Sequence, residues 1–269
     1  LRLATVFSGI GAIEHALKRM GIEHEIVFAS DNGDVDIFKK KIDINFIDIK
    51  NELERLERII DNIDIKVDSD YEYLTDLESH LNRISERIIF LQEQNRNYDF
   101  DVLAIIDKVD NEKVKKDLQT IVNKYTDIND INNIDKVLII SKIEKENKEL
   151  VNEIISKNDI NTKGIIKELK EIVAQLGMLD EKIETLHIHS ELRKIEDYSD
   201  KKRYVDDLYK GKEKSNFVKQ SYFANYDIDD AHFHWNVSFI DGYQYRDRVD
   251  LFVGGSPCQS FSMVGSKEV

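Results

Sequence analysis

The chain has 269 residues and a formal net charge of −14, with 41% hydrophobic and 34% charged residues, one cysteine and one proline. A single cysteine excludes a disulfide framework, and no run of about eighteen apolar residues offers a helical membrane span. With no signal-peptide pattern, a soluble cytoplasmic protein without membrane contact is expected.

Leu3-Ala4-Thr5-Val6-Phe7 reads as a short buried strand that runs into Ser8-Gly9-Ile10-Gly11-Ala12. The helical spacing of Ile13, Ala16, Leu17 and Met20 follows. Strand, glycine turn and helix open a nucleotide-type α/β unit. Gly9 and Gly11 let the backbone approach a ligand, and the helix aims free N–H groups and its positive dipole end at it. An ordinary turn uses the same G-x-G pair, so the signal is weak by itself. A second strand, Glu25 to Ser30, ends on Asp31, the position that hydrogen-bonds ribose hydroxyls in such units. A solvated loop aspartate is the plain alternative.

From about Ile42 to Asp200 the composition turns to Ile, Asn, Asp, Lys and Glu without proline. Leu74, Leu77, Leu81, Ile84, Ile88 and Leu91 step by three and four, as do Ile165, Leu169, Ile172, Leu176, Leu179, Ile183 and Leu186. Such stripes predict coiled-coil seams. Polar stretches at Asn95–Asp99, Thr126–Asp130 and Ser156–Asp159 are expected to break the region into several antiparallel helices. The region reads as an all-α insertion between the second and third strands, with a face for a helix-mediated protein contact. His187 and His189, two apart, do not share a helical face; they are expected at the surface, and no metal is expected.

Between Lys201 and Lys219 seven basic residues, Lys201, Lys202, Arg203, Lys210, Lys212, Lys214 and Lys219, face three acidic ones, with Tyr204, Tyr209, Phe217, Tyr222, Phe223 and Tyr226 interleaved or just beyond. This is the one basic stretch of an acidic chain. The aromatic residues are expected to pack it back onto the core; a nucleic-acid contact is the alternative reading. The chain then returns through Phe233 to Ile240 and a strand at Val249–Val253, which delivers Gly254-Gly255-Ser256-Pro257-Cys258-Gln259-Ser260-Phe261-Ser262. A lone cysteine in a Gly/Ser-rich turn after a strand is a candidate nucleophile, or else a buried small hydrophobe.

Phe7-Ser8-Gly9-Ile10-Gly11-Ala12-Ile13-Glu14-His15-Ala16-Leu17 and Asp250 through Ser262 closely resemble, in order, two signature motifs of the DNA (cytosine-5) methyltransferases. The resemblance covers roughly the first thirty-five and last forty residues. It implies a Rossmann-like methyltransferase fold interrupted by the helical insertion, divided as 1–41, an insertion at 42–230, and a return at 231–269. It implies that Phe7, Ser8, Gly9, Ile10, Gly11, Asp31, Asn32, Asn236 and Pro257 bind S-adenosylmethionine. Cys258 is then the thiolate that adds to carbon 6 of a cytosine flipped out of double-stranded DNA. Gln259, Ser260 and Ser262 are expected to contact that DNA, although turn serines also satisfy their own backbone.

Two positions depart from the family pattern. Asn32 stands where an aromatic residue stacks on adenine, so stacking must come from elsewhere. In His234-Trp235-Asn236-Val237-Ser238, Asn236 stands where an aspartate faces the adenine amino group; its side-chain oxygen still accepts that hydrogen bond, without the charge. The family's Glu-Asn-Val and Gln-x-Arg motifs, target-recognition region and final cofactor motif are not found in these residues. The 269 residues are therefore expected to be the N-terminal part of a longer enzyme, inactive alone, of bacterial restriction-modification type. Two alternatives stay open: a non-catalytic helical interaction protein with a degenerate methyltransferase core, and an RNA cytosine-5 methyltransferase.

Overall fold

The structure is a computed structural model that describes residues 1–255 except 39, 66, 67, 99, 128–133, 145, 146, 159 and 160, and gives backbone alone at 68, 69, 157, 158 and 162. It is a mixed α/β structure, mostly helical, with one four-stranded parallel sheet among the described residues. The strands are β1 (Arg2–Val6), β2 (Glu25–Ser30), β3 (Phe233–His234) and β4 (Leu251–Gly254), in the order β3-β2-β1-β4. Leu3, Ala4, Thr5 and Val6 are all buried, the pattern of a strand covered on both faces of a parallel sheet. The register pairs Val6 with both Ser30 and Gly254, and Ser30 with His234. All four strands therefore finish on one edge of the sheet.

Two compact units divide the chain: residues 1–38 with those from 188 onward, and Lys39–His187. The second unit is helical, with α2 (Phe46–Asp61), α3 (Asp68–Arg96), α4 (Val102–Ile106), α5 (Glu112–Asp127), α6 (Lys136–Ile143), α7 (Lys148–Asn158) and most of α8 (Thr162–Lys194). Every residue of the two apolar stripes, Leu74 to Leu91 and Ile165 to Leu186, is buried in one hydrophobic cluster. The polar stretches fall at the ends of α3, α5 and α7. Asn45 caps α2 by accepting from Asp48 N at 2.8 Å, and Asp101 caps α4.

In the sheet unit, α1 (Ala12–Arg19) joins β1 to β2, and α9 (Tyr198–Leu208) and α10 (Phe217–Asn225) precede β3. The insertion expected at 42–230 differs here from the observed division, because residues 188–230 group with the sheet. Ile188 and Leu192 pack with Val35, Val205, Tyr209, Trp235 and Phe239, and Tyr222 packs with Ala29 and Phe233. The three-and-four stripe of α8 ends at Leu186, and Ile188 and Leu192 follow out of step with it, on the side that meets the sheet unit. His187 and His189, expected at the surface, are half-buried: His189 meets the ring of Phe239 edge-on at 5.4 Å, and Nδ1 of His187 is buried without a hydrogen-bond partner.

Candidate functional site

The loop after β1 is shaped by left-handed backbone. Phe7, Gly9 and Gly11 have φ of 52°, 53° and 86°. Gly11 suits its position twice over: any other residue would put a Cβ into left-handed backbone and against the ring of Tyr226. Gly11 also begins α1, its carbonyl accepting from His15 N at 3.0 Å, so the helix points its unbonded N–H groups at the loop. Ser8 is fixed through its backbone, donating to Ser30 O at 3.2 Å, while its buried Oγ has no hydrogen-bond partner. Phe7 and Ile10 are exposed, Ile10 by 66%.

Asp31 follows β2 on the same edge. Its carboxylate ties two loops together: Oδ2 accepts from Gly9 N and Oδ1 from Gly33 N, each at 2.8 Å. A carboxylate offers about four lone pairs, so each oxygen keeps capacity for a hydroxyl donor. Asn32, beside it, is exposed, and its side-chain oxygen accepts from Asp34 N. It lies in an Asx turn and brings no apolar surface to the site.

At the end of β3, Asn236 starts a short 3₁₀ turn, Val237–Phe239, whose Ser238 N it caps at 2.9 Å; its amide donates to the Tyr209 hydroxyl at 3.4 Å. The oxygen expected to face an adenine amino group thus already holds one local hydrogen bond and keeps one acceptor site. Tyr209 stacks on Trp235 with ring centres 4.8 Å apart. His234 is buried, and the Tyr245 hydroxyl lies 2.7 Å and the Tyr198 hydroxyl 3.2 Å from its Nε2. Burial, helped by nearby Lys202, drives the imidazole down to about 3, so it is neutral at ordinary pH.

β4 is locked to β1 through Asp250, which accepts from the backbone and guanidinium of Arg2; those hydrogen bonds hold its carboxyl down at about 2. Pro257, Cys258, Gln259, Ser260 and Ser262 lie outside the described residues.

The basic stretch is largely neutralised within the unit. Lys201 pairs with Asp241 at 2.7 Å, Lys202 with Asp206 and Arg203 with Asp200. Lys219 pairs with Asp230 and stands over the rings of Phe223, Phe233 and Trp235. Tyr204, Tyr209, Tyr222, Phe223 and Tyr226 pack inward as the first reading expects, whereas Phe217 is 72% exposed, and Lys210, Lys212 and Lys214 stay exposed.

Sequence reasoning missed four residues around this edge. Glu14 is buried with Oε1 accepting from Thr5 Oγ1 at 2.8 Å and from the Tyr222 hydroxyl at 2.5 Å. Burial and that carboxylate push the Tyr222 hydroxyl well above its usual range. Tyr226 and Asn216 reach the two loops directly. An acidic residue two positions into an apolar helix face was the only sequence signal, and it pointed to Glu14 alone.

Among the described residues no cluster of three or more His, Cys, Asp or Glu has the arrangement of a metal site, and no helix is long and apolar enough to cross a membrane. Residues 207–269 match a family model described as C-5 cytosine-specific DNA methylase. That segment takes in α10, β3, β4 and Cys258, and leaves the glycine loop and Asp31 outside it. No curated protein and no solved structure matches the chain.

Proposed function

From residue 207 to 269 the chain carries a segment of the C-5 cytosine-specific DNA methylase family, and from that premise we propose that the protein is an S-adenosylmethionine-dependent DNA (cytosine-5) methyltransferase. We read the sheet as part of a Rossmann-like methyltransferase sheet, interrupted by a coiled-coil-like helical unit, in a cytoplasmic restriction-modification enzyme. The observation that supports this most is the register of the strand ends. Val6 pairs with Ser30 and with Gly254, so the glycine loop, Asp31 and the segment leading to Cys258 leave the sheet side by side. Ligands of parallel sheets bind outside the carboxyl ends of the strands. Cys258 stands four residues past Gly254, a covalent reach of at most about 14 Å.

The residues present fit the cofactor. A buried serine hydroxyl without a partner, two glycines with left-handed backbone and a helix N-terminus line one loop, and a carboxylate with spare acceptor capacity closes the other. Phe7, Ser8, Gly9, Ile10 and Gly11 would surround it from the first loop, Asp31 and Asn32 from the second, Asn236 from the third and Pro257 from the fourth. S-adenosylmethionine supplies the methyl group when bound. Cys258, as thiolate, adds through sulfur to carbon 6 of the cytosine, which makes carbon 5 nucleophilic; the C–S bond breaks again when the proton at carbon 5 is lost. The base must leave the stack to meet the thiolate. Gln259, Ser260 and Ser262 would hold its backbone through hydrogen bonds to phosphate.

A pool of random-sequence duplexes with 5-fluorocytosine in place of cytosine tests this without knowledge of the target site, because fluorine cannot leave as the proton does. Incubated with the intact protein and S-adenosylmethionine, it should give a covalent adduct whose peptide maps to Cys258. An adduct on another residue, or none, overturns the reading.

A further inference from the structure

Two loops that leave different strands can bind one ligand only if something fixes their spacing. In this unit a single helix touches both. Asn216, fully buried at the start of α10, divides its carboxamide between two tasks. Its Oδ1 caps the helix by accepting from Lys219 N at 2.8 Å, and its Nδ2 donates to Asp31 O at 3.1 Å. Gly33 rests on the same carboxamide: with φ at +59°, a Cβ there would stand 2.2 Å from Asn216 Oδ1. At the other end of α10, the Tyr226 hydroxyl donates to Gly11 O at 2.6 Å, and its ring fills the space beside Gly11 that a Cβ would need. With His15 N bonded to the same oxygen, both lone pairs of the Gly11 carbonyl are engaged. One turn back, Tyr222 bonds Glu14 on the first turn of α1. The Gly9 N–H bond to Asp31 closes the ring.

We propose that α10 is a clamp for the two cofactor loops, and that Asn216 and Tyr226 are positioning residues for S-adenosylmethionine; this rests on the methyltransferase reading above. Their hydrogen bonds go to the backbone carbonyls of the loops, Asp31 O and Gly11 O. They set the distance between the N–H groups of the glycine loop and the Asp31 carboxylate, as a supporting shell does for residues that touch a ligand.

The substitutions that isolate this role are Tyr226→Phe, which keeps the ring beside Gly11 and removes the donor, and Asn216→Asp, which keeps an effective helix cap and cannot donate to Asp31 O. S-adenosylhomocysteine is titrated calorimetrically into the intact protein and each variant, and methylation of a random-sequence duplex is followed against S-adenosylmethionine concentration. Each variant is expected to raise Kd and KM for the cofactor about fivefold to tenfold, the size of one lost hydrogen bond, with kcat at saturating cofactor little changed; the unfolding midpoint should hold for Tyr226→Phe and fall for Asn216→Asp, whose buried carboxylate faces Asp31 O. A merely structural role would instead lower the unfolding midpoint and leave Kd and KM alone, and that result overturns the clamp. Variants that bind as wild type overturn it while leaving the methyltransferase reading intact. A wild-type protein that binds no S-adenosylhomocysteine overturns both.

Discussion

The helical unit and the sheet unit bury their chain by different means. In residues 39–187 one continuous apolar cluster does the work, and its stripes are periodic within single helices. The sheet unit has three smaller clusters stitched by polar contacts across long separations: Arg2 to Asp250, Gly11 to Tyr226, Glu14 to Tyr222, and Asp31 to Asn216. Local stripes order a helix pair cheaply, whereas closing a chain over some two hundred residues gains its contacts only once the whole unit forms. The loops read as functional lie in the unit with the sparser core, where each glycine and hydrogen bond counts for more.

Excision gives the largest effect and tests that division. Removing residues 40–187 and joining the ends with a short flexible linker should leave the sheet unit folded in the intact protein. Extending the cut to Ser199 removes Ile188 and Leu192 from their cluster with Trp235 and should unfold it. Trp235, the only tryptophan, reports on this unit by fluorescence. Equal behaviour of the two deletions would break the comparison.

A smaller effect is expected from Arg55, which bonds Glu52, Asp180 and Glu184 together in the helical unit. Asp180 is almost fully buried and, among the described residues, keeps the ion pair with Lys40 at 3.7 Å if Arg55 is lost. Arg55→Ala should destabilise the helical unit by about 3–5 kcal/mol in urea unfolding followed by far-ultraviolet circular dichroism. The Trp235 transition should move less.

In the sheet unit, Gly11→Ala puts a side chain into left-handed backbone, at a cost of about 1–2 kcal/mol, and against the ring of Tyr226. The pair Gly11→Ala with Tyr226→Ala relieves the clash and leaves the backbone strain. The double variant should therefore lose less than the two single losses added together.

pH sets the two units against each other. Burial pushes the Asp135 carboxyl up to about 7, against the Tyr125 hydroxyl and Phe46 N–H that bond it. A raised carboxyl stabilises the fold while protonated, so its contribution is whole below about pH 4 and is lost as pH climbs toward 7. His234, held down at about 3, contributes above its ordinary value of 6.5 and loses that contribution as pH falls toward 3. Circular dichroism midpoints should thus fall from pH 4 to 7 by an amount that Asp135→Asn removes. Trp235 midpoints should fall in acid by an amount that His234→Gln removes.

Much of this was legible in the sequence for identifiable reasons. The apolar steps of α3 and α8 fixed which faces are buried, because a helix repeats locally. Gly9 and Gly11 after an apolar strand marked a turn where the backbone can approach a ligand, because glycine carries no side chain to block it. The Pro257-Cys258 segment resembled a methylase motif by residue identity alone, and residues 207–269 match that family.

Other features had no local mark. The change of phase from Leu186 to Ile188 and Leu192 does not say that the new neighbours are Trp235 and Phe239. The basic residues from Lys201 onward read as one positive stretch, and only the fold brings Asp241 and Asp230 to Lys201 and Lys219. Asn216 and Tyr226 are ordinary polar and aromatic residues in sequence, and they become the supports of two distant loops because α10 docks between them. The sequence by itself determined the two long helical stripes, the first two strands and the glycine turn between them, and it marked Cys258 as the candidate nucleophile, since these follow from short-range sterics and chemical identity. The tertiary structure decided which charges are spent on each other and which side chains hold the loops, since those depend on contacts between residues from 11 to 215 positions apart in the chain.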